Sequence, residues 1–215
     1  MERKFKFTKA DTAAVKGIAI IFLIFYHGFS IKSRLYGYPV SFWPLSEAKA
    51  MAVCRVMVQC VGIFAFLSVY GLTLSMKAQY HEYEFTGHEA TLFVLKRYVK
   101  LVLSFTLPFL FCMGVTYLTH TSRYSDGFPI NLINAGMDFL GLGHLFGTQM
   151  QINTWWYLSL EILLIFFMPF LVRFYKRYGW LMVFMFLLIG SFMLEKHVHL
   201  TKYLLVAPLA VCFAD

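Results

Sequence analysis

The sequence predicts an all-α fold, a polytopic bundle of transmembrane helices. Three observations carry that prediction: an apolar fraction of 60%, a charged fraction of only 14%, and a mean hydropathy of +0.66. Soluble globular chains average roughly 45–50% apolar and about 25% charged residues. A length of 215 residues, which would otherwise suggest one or two soluble domains, therefore reads as a single membrane domain over 1–215. The net charge of +8 does not gather into a basic patch with base-stacking aromatics, which argues against nucleic acid as a partner. Cys54, Cys60, Cys112 and Cys212 all lie in apolar segments, without CxxC or Cys/His spacing. They read as small buried hydrophobes, and no metal site is expected.

Six apolar spans follow one another. The first, Thr12 to Ser30, takes Asp11 as its N-cap. It follows a basic start without an Ala-x-Ala cleavage site, so it is expected to be retained. The second runs from Ala50 to Ser75 and the third from Tyr98 to Leu118. The fourth is Trp155 to Val172 and the fifth Tyr178 to Leu194, with Pro108 and Pro169 marking kinks in spans three and four. A sixth begins near Tyr203 and reaches Asp215 well short of the roughly 20 residues that cross a bilayer. The expectation is therefore a chain cut short of a larger bundle. Between spans three and four, Asn131 to Gly147 holds Gly136, Gly141, Gly143 and Gly147 with Asp138 and His144. That stretch is too polar for a span and reads as an interfacial or re-entrant element on the outer side.

Basic residues set the orientation. Arg3, Lys4, Lys6, Lys9 and Lys16 precede or open span one. Lys77, Lys96, Arg97 and Lys100 lie between spans two and three, and Arg173, Lys176 and Arg177 follow span four. The alternate loops are poorer in Lys and Arg, so the N-terminus is expected to face the cytoplasm of a multi-pass cell-membrane protein.

An ionisable residue in a membrane helix is a functional candidate by default. His27 follows Lys16 by eleven residues, or about 1100° and 16 Å of helix, so both fall on one face. At an unperturbed pKa of about 6.5, its imidazole can take a proton from a hydroxyl during attack on an ester or thioester, or be acylated itself. A plain interhelical hydrogen bond is the alternative. Lys16, Arg97 and Lys100 would bind phosphate near the cytoplasmic interface, or simply anchor the helices against anionic lipid. Glu161 lies about 10 Å into span four, near the expected height of His27. It could orient that histidine, position an acceptor hydroxyl, or hydrogen-bond a Tyr, Trp or Ser on another helix. Arg55 and Gln59 could face the same interior, although Arg55 is better read as snorkelling. Asp138 and His144 are weaker candidates on the acceptor side, and His197 and His199 lack metal-ligand context.

Four ordered segments resemble the acyltransferase-3 family of membrane acyltransferases. Asp11-x4-Lys16-Gly-Ile-Ala-x6-Tyr26-His27 is similar to its first-helix motif, with Lys16 where the family usually has Arg. Gly62 to Leu72 resembles the second-helix Phe-x-x-Ser-Gly segment, with Val69 replacing the glycine. Lys96-Arg97-Tyr-Val-Lys100 resembles the Arg-x-x-Arg motif opening helix three. Trp155-Trp-Tyr-Leu-Ser-Leu-Glu161 with Phe167-Met-Pro169 resembles the Trp-x-Leu-x-x-Glu…Pro segment.

The resemblance implies a membrane enzyme, commonly of about ten spans, moving an acyl group, often acetyl, from cytoplasmic coenzyme A to a hydroxyl of a sugar or cell-envelope glycan. His27 would be general base or acyl relay and Glu161 its helper. Lys16, Arg97 and Lys100 would hold the phosphates of acyl-CoA, a donor substrate rather than a permanently bound cofactor. Lys in place of Arg loses bidentate phosphate geometry. Two further readings stand beside this one: a non-catalytic transporter or lipid-handling protein, and an inactive fragment that needs a partner chain for its missing helices.

Overall fold

The computed structural model describes residues 7–193, 203 and 205–215. The described residues form helices with no strand: α1 (Lys9–Phe29), α2 (Glu47–Val56), α3 (Cys60–Gln79), α4 (Gly87–Leu118), α5 (Ile130–Phe139), α6 (Gly143–Phe146), α7 (Trp156–Tyr178), α8 (Leu181–Met193) and α9 (Val206–Ala214). Four stretches are long and apolar enough to cross a bilayer: Lys9–Phe29, Glu47–Gln79, Gly87–Leu118 and Asn153–Tyr178. They correspond to the first four expected spans. The described parts of the fifth and sixth, α8 and α9, have 13 and 9 residues.

Helix starts differ from expectation for a common reason. Thr8, not Asp11, caps α1, and Asp11 occupies the third helical position, where its carboxylate takes the Thr8 amide at 2.8 Å. Thr86 and Glu89 make the same reciprocal capping box at α4. This pairing satisfies amides that the first helical turn leaves unbonded. It starts α4 at Gly87, so Arg97 and Lys100 lie about 15 and 20 Å along the helix rather than at its opening. Pro108 and Pro169 sit inside α4 and α7, which run on through them.

The core forms where α3, α7 and α9 meet, around Val69, Met76, Leu160, Leu164, Met168, Leu171 and Val211. α1 packs on α3 and α2, and α4 packs on α7 and α5. Both outer helices leave apolar flanks exposed: Ile18, Ile21 and Ile24 on α1, and Leu103, Leu107 and Phe111 on α4. In a chain of this hydropathy such flanks are lipid-facing surface.

The two ends of the bundle differ in charge. Arg173 donates to the Phe85 carbonyl at 2.9 Å and stacks on its ring, and Lys176 pairs with Glu84 at 2.9 Å. Lys77 pairs with Asp215 at 2.9 Å, beside the Tyr83 and Tyr175 hydroxyls. The α3–α4 turn and the C-terminal ends of α7 and α9 thus form one basic end. At the opposite end, neither α5 nor α6 is long enough to cross, as an interfacial or re-entrant element requires. The turn between them is pressed into the bundle: Tyr98 donates to the Leu140 carbonyl at 3.1 Å and Ser159 to that of Gly141 at 2.6 Å.

Candidate active site

α1 delivers His27 to a cleft of about 750 Å³ at the end opposite the basic one. The helix closes two residues later, and its last carbonyls carry partial negative charge without intrahelical donors. Arg34 supplies donors from the short 3-10 turn Lys32–Leu35. Its Nη1 reaches the Tyr26 carbonyl at 2.8 Å and the Ser30 hydroxyl at 2.9 Å, with the guanidinium 5.1 Å from the Tyr26 ring centre. Arg34 therefore fixes the segment that presents His27 and adds positive charge to the cleft. Among the remaining walls are His144 of α6, Asn153 and Thr154 before α7, and Trp156 stacked on Tyr203 at 5.7 Å. The volume lies in the usual range for small-molecule sites, about 300–1,000 Å³.

Glu161 occupies a second polar position. It is only 9% exposed and accepts hydrogen bonds from Ser68 of α3 at 2.5 Å and from Tyr157, one turn earlier on α7. Lys16, itself exposed, lies close enough for its ammonium to act electrostatically on this carboxylate. The direct pairing of Glu161 with His27 expected from their similar heights is absent among the described residues. Ser68 and Tyr157 occupy one oxygen each, and it is the Ser of a neighbouring helix that the carboxylate meets. Glu161 thus ties α3 to α7, while Trp156, one residue before Tyr157, opens onto the cleft that holds His27.

Arg97 and Lys100 lie elsewhere. Arg97 is half-buried with its guanidinium 5.2 Å from the Phe93 ring, and Lys100 lines an open groove along α4 with Lys96 and Ser104. α4 packs on α7 and α5, whereas Lys16 belongs to the α1–α3 pair. Tyr98, between the two cations, meets Phe166 near the middle of α7 at 6.0 Å. These cations stand well up the bundle rather than at its basic end. Arg55 and Gln59 are both exposed rather than turned into the bundle interior. His197 and His199 fall outside the described residues.

The cleft brings His27 together with His144, which the sequence offers as a weaker acceptor-side candidate, and with Arg34, which the sequence does not single out. The spacing of four between Ser30 and Arg34 is the signal in the sequence that could have pointed to their hydrogen bond. His144 is a weak signal in sequence because its segment is too polar and glycine-rich to read as a span.

A helical, membrane-embedded protein with an imidazole in an aromatic-walled cleft is the class that fold and site define. The acyltransferase domain model matches residues 13–194, and the chain belongs to the acyltransferase-3 family. It is accordingly a membrane acyltransferase. Nothing among curated proteins or solved structures matches the chain.

Proposed function

We propose that this protein transfers an acyl group, acetyl in the simplest case, from cytoplasmic acyl-CoA to a hydroxyl of a sugar or cell-envelope glycan. The observation that carries the reading is His27 lining an aromatic-walled cleft large enough for a sugar residue. His27 acts there as general base or acyl relay. As base it takes the acceptor proton as the hydroxyl attacks the thioester carbonyl, and returns it to the sulfur as the C–S bond breaks and coenzyme A leaves as the thiol. As relay it first accepts the acyl group itself, releasing coenzyme A, and then passes it to the hydroxyl. Glu161 supports the reaction through the Ser68–Tyr157 contact rather than by touching His27. Lys16 supplies positive charge for the phosphates of coenzyme A, and Arg97 and Lys100, about 15 and 20 Å along α4, meet the donor only if it enters along that separate face of the bundle. The basic end, with Lys77, Arg173 and Lys176, faces the cytoplasm in keeping with the positive-inside pattern, and the cleft opens towards the other side.

The test is His27→Ala in membranes supplied with acyl-CoA and envelope glycan. Acyl transfer is expected to disappear while the protein still inserts at normal levels. Undiminished transfer would remove the histidine from the mechanism.

A further inference from the structure

The cleft contains a second imidazole. His144 sits in the short helix α6 and lines the same cavity as His27 from a different element, with its ring 6.4 Å from that of Trp156. The segment carrying it is held firmly for so polar a stretch. Gly141 and Gly147 flank it at φ +70 and +65, a region glycine enters at no steric cost. Gly143 approaches Asp138 so closely that a Cβ there would stand 2.5 Å from Oδ1. Asp138 is 2% exposed. Its Oδ2 accepts from the Tyr124 hydroxyl and the Gln151 amide, both at 2.7 Å, and its Oδ1 has no hydrogen-bond partner among the described residues. Burying a carboxylate on half its hydrogen bonds is costly. What this clasp delivers is an imidazole aimed at the site, while Leu145 beside it packs on the core.

We infer that His144 is the acceptor-side residue of the site, holding the hydroxyl-bearing substrate against Trp156 while His27 acts on the reacting hydroxyl. The inference rests on the acyl-transfer reading and adds a residue to it. One attack requires one base, and His27 fills that role. A neutral second imidazole offers one N–H donor and one lone pair, which matches neighbouring hydroxyls of a sugar, each able to donate and accept. The Trp156–Tyr203 stack supplies an apolar face for the carbon side of the ring, and Asn153, whose Oδ1 accepts from Arg123 at 2.8 Å, adds an amide donor. Lys16, Arg97 and Lys100 are not among the lining residues of this cleft. Donor and acceptor therefore have separate approaches, and His144 belongs to the acceptor's.

The test uses membranes holding the full chain, radiolabelled acetyl-CoA, and envelope glycan extracted from cells that lack the gene. His144→Ala is expected to raise the apparent KM for glycan about tenfold, the loss of one hydrogen bond in a polar site. The KM for acetyl-CoA should stay within about twofold. His144→Gln, which keeps a donor and an acceptor, should restore much of the glycan KM. If His144→Ala does not accumulate, His144→Phe takes its place, keeping the packing on Trp156 without either nitrogen. An unchanged glycan KM, or both KM values rising together, overturns the assignment. When wild type transfers label, His27→Ala does not, and His144→Ala behaves as wild type, only the role of His144 falls. When wild type transfers no label at all, the acyl-transfer reading falls and takes this one with it.

Discussion

Asp138 shows how one side chain can hold a whole segment. Burial keeps its carboxyl above the ordinary value of 3.8, against the opposing pull of the Tyr124 and Gln151 hydrogen bonds. Burial, helped by the adjoining carboxylate, likewise pushes the Tyr124 hydroxyl up. An acid whose folded pKa is raised contributes stability fully below its ordinary value and loses it as pH rises through the raised one. The thermal stability of purified protein should therefore fall as pH increases from that ordinary value, and Asp138→Asn, which carries no charge, should flatten the profile. Asp138→Ala should instead be destabilising at every pH, by about 1–3 kcal/mol for each donor left unpaired. Equal pH profiles for wild type and Asp138→Asn would show that the carboxyl does not titrate in this range. Glu161→Ala strands two hydroxyls in the interior and should likewise lower the melting temperature. Ser68→Ala removes only one partner, a loss of about 1 kcal/mol.

Among the elements, the turn between α5 and α6 has little room for change. Gly141→Ala combines a left-handed φ with a Cβ 2.7 Å from Leu158 and Ile162. It should lower the melting temperature and expose the 140–150 segment to limited proteolysis; a variant as protease-resistant as wild type would contradict the packing described. Removing the α4 cap with Thr86→Ala should weaken the helix by about 1 kcal/mol. That cap also shows what the sequence made legible. Apolar runs mark what can meet lipid, and they located α1, α3, α4 and α7. They do not mark where backbone hydrogen bonding begins, so the expected starts Thr12 and Tyr98 fall inside helices that capping boxes open earlier. The Thr-x-x-Glu of Thr86 and Glu89 was readable as such a signal. His27 was legible because an imidazole is rare in an apolar helix. The Ser68–Glu161 contact, by contrast, spans 93 residues of sequence and depends on how α3 meets α7, which spacing along either helix does not encode.

For the molecule as a whole, the basic end fixes which loops share a side. With the four native cysteines replaced, Lys176→Cys should be shielded from an impermeant maleimide added to intact cells, and Ser125→Cys should react. The reverse pattern would invert the orientation proposed above. The aromatic contacts also align two helices of unequal length. Phe105 and Phe109 of α4 meet Trp155 at 5.2 and 5.6 Å, level with the start of α7. Leu110 to Leu118 then continue for about 14 Å past that level, with Leu110, Phe111, Tyr117 and Leu118 exposed. That flank rises beyond the start of the largely buried α7, and a lipid shell that covers it is expected to stretch along α4 or tilt the helix. Reconstitution in bilayers of shorter acyl chains is therefore expected to shift α4 against α7 and to disturb the Tyr98 and Ser159 hydrogen bonds that hold the loop between them.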